Sequence, residues 1–213
     1  MKSSLVEEII NSITHGIGAL FSIVALTIMI IFAALYGTTE HIIAVAIYGG
    51  TLVLLYAMST IYHALTNKRA KKVFKVLDHA SVYLLIAGTY TPFALILLTN
   101  NSNLGWILLV IIWLLAIIGI TFSSIFINKF RVVKTVLYIV MGWLIVFTLP
   151  DLIYNMEQIS NIHGIYYLVA GGISYTVGAI IYLFKTKYSH AIWHLFVLLG
   201  SVLHFISVMF YLL

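Results

Sequence analysis

The chain has 213 residues, of which 63% are hydrophobic and 8% are charged, and its formal net charge is +5. A soluble domain carries about 25% charged residues, so this composition excludes an ordinary soluble globular protein. The absence of cysteine excludes disulfides, thiolate metal sites and a cysteine nucleophile, which leaves His, Asp and Glu to bind any metal.

Long uncharged segments predict membrane-spanning helices, because one crossing needs about 20 apolar residues. The uncharged segment from His79 to Asn128 is long enough for two crossings, since as one helix it would extend about 75 Å. Polar residues at 100–103 supply the turn between these two helices. The sequence therefore predicts an all-α polytopic membrane protein that forms a single domain over residues 1–213. Its seven helices are predicted at residues 11–36, 42–66, 78–99, 104–127, 132–150, 163–184 and 190–212.

The Lys and Arg residues all lie in alternate connections between the predicted helices. They occur at position 2, within 68–75 and 129–134, and at 185 and 187. Cytoplasmic loops carry the excess of Lys and Arg, so this pattern predicts a cytoplasmic N-terminus, an external C-terminus and a multi-pass protein of the cell membrane. The net positive charge is then an orientation signal and does not indicate nucleic-acid binding.

The predicted loop at 67–77 alternates cations with apolar residues. Two interpretations fit this pattern: an interfacial segment that lies on anionic lipids, or a solvated loop retained in the cytoplasm by its charge. Membrane lipids are therefore the expected partners.

Ionisable residues at the ends of spans mark candidate sites, because they are costly inside a membrane. His63 ends the second predicted helix, one turn after Ser59, and Asp78 begins the third. His190 and His194, one turn apart, begin the seventh. The topology brings these residues to the cytoplasmic end of the bundle, where a histidine pair on one helix face and a third histidine from another helix could bind zinc. The alternative is that the histidines contact lipid headgroups and that Asp78 caps the third helix.

The remaining histidines are weaker candidates for this site. His204 lies about 15 Å deeper than the pair in the seventh helix and is predicted to be a hydrogen-bonded interior residue. His41 and His163 fall at the opposite, external end. His15 starts the first helix at the correct end, where it either supports the ligands from behind or has a cap or packing role. His79 is an alternative ligand.

Short motifs of polar and small residues occur along nearly the whole chain. They are Glu7-Glu8-x2-Asn11-x2-Thr14-His15-Gly16-x-Gly18, Ser59-Thr60-x-Tyr62-His63, Leu77-Asp78-His79, Ala87-Gly88-Thr89-Tyr90-Thr91-Pro92-Phe93, Gly171-Gly172-x2-Tyr175-x2-Gly178 and His190-x3-His194. Together they resemble the hemolysin III family. This family belongs with the progestin and adipoQ receptors, and more distantly with the alkaline ceramidases, in a superfamily of seven-helix membrane proteins.

The resemblance implies a zinc ion near the cytoplasmic face, held by His63, His190 and His194. Asp78 corresponds to the acidic residue that holds the water on the zinc, and Ser59 to the serine one turn before the first ligand. The segments outside the seven predicted helices are short, so we expect no domain that recognises a protein hormone.

Three functions are compatible with such a site. The first is a zinc-dependent hydrolase of a membrane lipid amide or ester, in which Asp78 acts as the base and Ser59 stabilises the developing oxyanion. Similarity to the ceramidases favours this function. The alternative is a non-enzymatic sensor or regulator of membrane homeostasis with a structural zinc. The family name indicates a third, a cytolytic pore, which seven apolar helices and the lack of a soluble form disfavour.

Overall fold

A computed structural model of the protein describes residues 4–99, 103–184 and 186–213. In these residues the chain forms helices and no strand, and seven of the helices are long and apolar enough to cross a membrane. They are α1 (Leu5–Tyr36), α2 (Thr39–Ala64), α3 (Lys68–Leu97), α4 (Leu104–Ile125), α5 (Arg131–Gln158), α6 (His163–Leu183) and α7 (Ser189–Tyr211). The predicted all-α, seven-helix membrane protein is thereby confirmed. Lys2, Lys185 and residues 100–102 of the predicted turn lie outside the described residues.

Two helices, α1 and α3, begin six or more residues before the apolar segments that predict them. α1 begins at Leu5 because Ser4 and Glu7 form a capping box, in which Glu7 N donates to Ser4 Oγ (3.2 Å) and Ser4 N donates to Glu7 Oε2 (2.8 Å). α3 begins at Lys68, and Asn67 Oδ1 caps it by accepting from the next backbone amides. The segment 68–77, predicted as a loop, is therefore helical, and α3 starts ten residues earlier than expected.

Proline changes the helical geometry at two places. Pro92 lies inside α3, and the backbone after it widens into a π-helical turn at Phe93–Leu97. Proline lacks an N–H and clashes with the preceding turn, which accounts for this local widening. α5 was predicted to end at Pro150, but it continues to Gln158 through a tighter turn at Leu144–Thr148. Pro150 stands in the first turn of the last segment, where a missing N–H costs no hydrogen bond.

The helices follow one another around the bundle, and contacts between α1 and α7 close it. Large apolar side chains such as Leu20 and Ile118 point outward, with 69% and 62% of their surface exposed. Polar side chains such as Asn11, Ser59 and His194 point inward and are buried. This arrangement is typical of a membrane protein, in which lipid covers the apolar faces and polar side chains face the protein interior.

Candidate metal centre

Three histidines from two helices meet at one end of the bundle. His63 lies in the last turn of α2, and His190 and His194 lie one turn apart at the start of α7. Each offers one ring nitrogen, and these three atoms lie within 4.8 Å of one another. The ring centroid of His63 is 5.0 Å from the ring centroids of His190 and of His194. The centroids of His190 and His194 are 4.7 Å apart. The three residues could therefore hold a metal ion.

The hydrogen bonding of these rings fits a metal site. His63 Nε2 and His194 Nδ1 are buried and have no hydrogen-bond partner among the described residues. A buried imidazole nitrogen without a partner is costly, and coordination to a metal ion would satisfy it. The site is made only of imidazole nitrogens, which suit zinc and other transition metals better than calcium or magnesium.

Glu8 of α1 supports the site, and the sequence reasoning gave it no role. His63 Nδ1 lies 3.1 Å from Glu8 Oε2, and Lys71 Nζ donates to the same oxygen at 2.6 Å. A carboxylate can only accept, so His63 carries its proton on Nδ1 and leaves Nε2 free for a metal. The signal that could have found Glu8 is its spacing from Asn11 and His15, which places all three on one face of α1.

The start of α7 is held in place by α1. Tyr188 precedes α7 in the left-handed backbone conformation, with φ 65°, and its N–H donates to Glu7 Oε1 at 2.6 Å. His15 stacks on His194 with ring centroids 3.6 Å apart and ring planes 12° apart. His15 therefore lies against one of the three histidines, which is the supporting position considered from the sequence.

Ser59 and Asp78 line a cavity that also reaches His190 and His194. Ser59 Oγ is buried and has no hydrogen-bond partner among the described residues. Asp78 is partly buried and is not part of the three-histidine group. His79 lines the same cavity and is likewise outside that group. The structure thus places Ser59, Asp78 and His79 around the same cavity as His190 and His194, and only the histidines His63, His190 and His194 form the candidate metal-binding group.

The remaining histidines lie away from the group. His204 Nε2 is 3.0 Å from the carbonyl oxygen of Leu168, which confirms the predicted hydrogen-bonded interior histidine. His41 lies at the start of α2, where its Nδ1 accepts from Thr38 N at 3.2 Å. His163 is the first residue of α6. Both helices begin at the end of the bundle opposite the three histidines.

The cavity has a volume of about 160 Å³ and extends from the histidines towards the middle of the bundle. Most of its wall is apolar, and His204 lies at its deep part. Representative apolar lining residues are Leu85, Phe93, Ile139, Val146 and Leu168. Gly142 of α5 also lines it, and a Cβ atom built on this glycine would meet no atom within 4 Å. An apolar cavity therefore adjoins the three histidines that could hold a metal ion.

Comparison with known proteins assigns the family. Residues 3–205 match the family described as haemolysin-III related. The chain belongs to this family. It is 50% identical over 208 residues to Hemolysin-3 of Bacillus cereus, covering 97% of this chain and 92% of that protein. It is 46% identical over 206 residues to the Hemolysin-3 homolog of Bacillus subtilis (strain 168), covering 96% and 94%.

A more distant relative is the human monocyte to macrophage differentiation factor. It is 29% identical over 177 residues, which cover 78% of this chain and 69% of that protein. The resemblance to the hemolysin III family is thereby confirmed. The chain is a haemolysin-III-type integral membrane protein with three histidines that could hold a metal ion.

Proposed function

We propose that this membrane protein is a zinc-dependent hydrolase that cleaves an amide or ester bond of a membrane lipid. One observation carries the proposal: three histidine nitrogens lie within 4.8 Å of one another beside a mainly apolar cavity. His63, His190 and His194 would hold the zinc. A group of three protein ligands leaves one position open, as in catalytic zinc sites, whereas structural sites are closed by four.

The chemistry is divided between the metal and the side chains around it. Zinc, when bound, lowers the pKa of water to about 7 and polarises a carbonyl group. Asp78 faces the same cavity and would accept the proton that water gives up when it attacks the substrate. Ser59, whose buried hydroxyl has no partner among the described residues, would donate a hydrogen bond to the developing oxyanion.

The cavity supports a lipid substrate. Its apolar wall would contact an acyl chain, and its polar end would place the scissile carbonyl beside the histidines. Gly142 borders open space in the cavity, so this face of α5 leaves room for a chain of methylene groups.

The test is Asp78→Asn in purified protein assayed on a panel of lipid amides and esters. This variant keeps the size of the side chain and removes the base, so we expect bound zinc to be retained and activity to fall about 100-fold or more. Asp151→Asn is the matched control, because Asp151 is an exposed carboxylate on α5. Equal activity of Asp78→Asn and the wild type would exclude Asp78 as the base.

A second function is favoured by the way the site joins helices. Glu8 connects α1 to His63 of α2 and to Lys71 of α3, and His15 of α1 stacks on His194 of α7. A zinc at this point would join α2 to α7, and the contacts of Glu8 and His15 would link α1 and α3 to the same place, as suits a structural ion in a sensor or regulator of membrane state. A wild type that hydrolyses no lipid of the panel, yet melts at a markedly lower temperature after chelation, would establish this function instead.

A cytolytic pore is the third and least supported function. The Bacillus cereus relative is named a hemolysin. Seven spans with apolar outer faces hold a protein in the membrane where it is inserted and give it no route to another cell.

A further inference from the structure

A second cavity, of about 320 Å³, lies beside the histidines and is here called the basic vestibule. Four cationic side chains line it: Lys75 from α3, Lys129 from the segment between α4 and α5, and Arg131 and Lys134 from α5. These four cations therefore surround one cavity. An orientation signal needs its cations only on the cytoplasmic side of the membrane, so it does not explain this clustering.

Acidic side chains offset only part of this positive charge. Glu8, which pairs with Lys71, does not line the basic vestibule. Glu7 lines it and contributes one negative charge, and its two carboxylate oxygens accept from the backbone amides of Ser4 (2.8 Å) and Tyr188 (2.6 Å). Asp78 lines the adjoining apolar cavity and interacts electrostatically with Lys75. The basic vestibule therefore has an excess of positive charge that attracts anions.

Two of the lysines are fixed by bonds to the protein. Lys134 is only 4% exposed, and its Nζ donates to the carbonyl oxygens of Phe126 (3.2 Å) and Ile127 (2.9 Å). Lys75 is partly buried, and its Nζ donates to Asn128 Oδ1 at 2.8 Å. These ammonium groups are positioned before any ligand binds, which lowers the entropic cost of binding.

Arg131 presents a donor group suited to phosphate. Its guanidinium lies 3.9 Å from the centre of the Tyr182 ring and donates to the Tyr182 carbonyl oxygen. Its Nε is buried and has no hydrogen-bond partner among the described residues. A guanidinium binds two phosphate oxygens at once, so the unused donor is well suited to a phosphate group.

The basic vestibule adjoins the apolar cavity. Thr135, Tyr138, Tyr182 and His190 line both spaces. A lipid with its acyl chains in the apolar cavity and its head in the basic vestibule would place the bond between them beside His190. We infer that the basic vestibule binds the phosphate of a lipid headgroup. This inference rests on the proposed function and narrows its substrate class from membrane lipids in general to lipids with a phosphate-bearing head.

Binding to the purified full-length protein in neutral detergent tests the inference by isothermal titration calorimetry. The probes are di-O-octylglycerol 3-phosphate, its neutral counterpart di-O-octylglycerol, and inorganic phosphate. Their ether bonds replace the carboxylic esters of natural lipids, so neither probe offers the acyl bond that the proposed hydrolase would cleave. We expect the phosphate-bearing lipid to bind at least about tenfold more tightly than either of the other probes. It alone can occupy the apolar cavity and the basic vestibule together. Equal affinity for the two lipids would overturn the inference, and inorganic phosphate binding as tightly as the lipid would reassign the vestibule to a free anion.

Matched charge variants show where the phosphate binds. The double variant Lys75→Gln and Lys129→Gln should weaken binding of the phosphate-bearing lipid by about tenfold or more, since it removes two of the four cations that line the basic vestibule. The double variant Lys68→Gln and Lys72→Gln removes the same charge from exposed positions outside the vestibule and should change it by less than about twofold. Equal losses in both double variants would overturn the assignment. Lys134 is left unchanged because it bonds backbone carbonyls.

The inference and the proposed function can fail separately. Because the ether lipids lack the acyl bond that the proposed hydrolase would cleave, their binding does not depend on turnover. A wild type that binds the phosphate-bearing lipid but cleaves no lipid would reject the hydrolase and keep the headgroup site. A wild type that cleaves neutral lipids and binds both ether lipids equally would keep the hydrolase and reject the headgroup site.

Discussion

Glu8 orients the ring of His63 through a hydrogen bond to its Nδ1. Its Oε2 accepts from Nδ1 at 3.1 Å, and Lys71 Nζ holds the same oxygen at 2.6 Å. A carboxylate behind a metal-binding histidine fixes the ring and raises its basicity. Glu8 would therefore position His63 for the proposed metal without being one of the three candidate ligands.

Glu8→Ala tests this role. Without the carboxylate, His63 loses its orienting partner, and we expect zinc affinity to fall about 10- to 100-fold. Competition with a chromogenic chelator measures the change. Glu157→Ala, which removes an exposed carboxylate from the end of α5, should leave the affinity unchanged. The same affinity in both variants would show that Glu8 does not support the metal site.

The three histidines and Asp78 could be predicted because helix ends that alternate across a membrane must meet at one side. His63 ends a helix, and His190 begins another, so topology alone places them together. Glu8 could not be assigned in the same way, because hydropathy does not say which face of α1 turns towards α2. Asn11, fully buried on that face, marks the orientation in the structure.

Close contacts between helices depend on small residues at defined positions. A Cβ atom at Gly88 of α3 would lie 2.1 Å from Thr51 Oγ1 of α2. Thr51 cannot easily turn away, because its Oγ1 donates to the carbonyl oxygen of Tyr48 at 2.7 Å. The absent side chain at Gly88 therefore lets α2 and α3 approach, and this approach helps to set the positions of His63 and Asp78.

Gly88→Ala should lower stability by about 1–3 kcal/mol, the usual cost of adding a methyl group to a tightly packed interior. Thermal unfolding in detergent measures the effect. Gly50→Ala is the matched control, because a Cβ atom at Gly50 of α2 would meet no atom within 4 Å. Equal melting temperatures for the two variants would contradict the close packing of α2 against α3.

The number of helices could be predicted from the apolar segments, while several of their ends could not. Hydropathy marks only the membrane-buried part of a helix. The helix can continue beyond that part through further helical turns of polar residues. The basic residues at the start of α3 are polar yet helical, because Asn67 caps them and they extend the helix outside the apolar part. Pro150 suggests a helix end, but it begins a new helical segment of α5.

The molecule has two unlike ends. One holds the three histidines, the basic vestibule and the exposed cations of α3, and the other holds His41, Asp151 and Glu157. The excess of Lys and Arg at the first end predicts that it faces the cytoplasm. A substrate headgroup would then approach from the cytoplasmic leaflet.

Single cysteines test this orientation, since the chain has none of its own. Lys72→Cys and Glu157→Cys each replace an exposed residue, one at each end. In intact cells, a membrane-impermeant maleimide should label Glu157→Cys at once and Lys72→Cys only after permeabilisation. The reverse pattern would place the histidines outside and contradict the predicted topology.

Metal analysis of purified protein tests the central claim, that three histidines form one zinc site, most directly. We expect about one zinc per chain in the wild type, its loss in His190→Ala and His194→Ala, and its retention in His204→Ala. His204 is the control because its ring is buried in the same helix but bonds the carbonyl oxygen of Leu168 at 3.0 Å. The first two variants should also melt at a lower temperature, since bound metal stabilises the folded state. A wild type without zinc, or equal zinc in all three variants, would contradict the account.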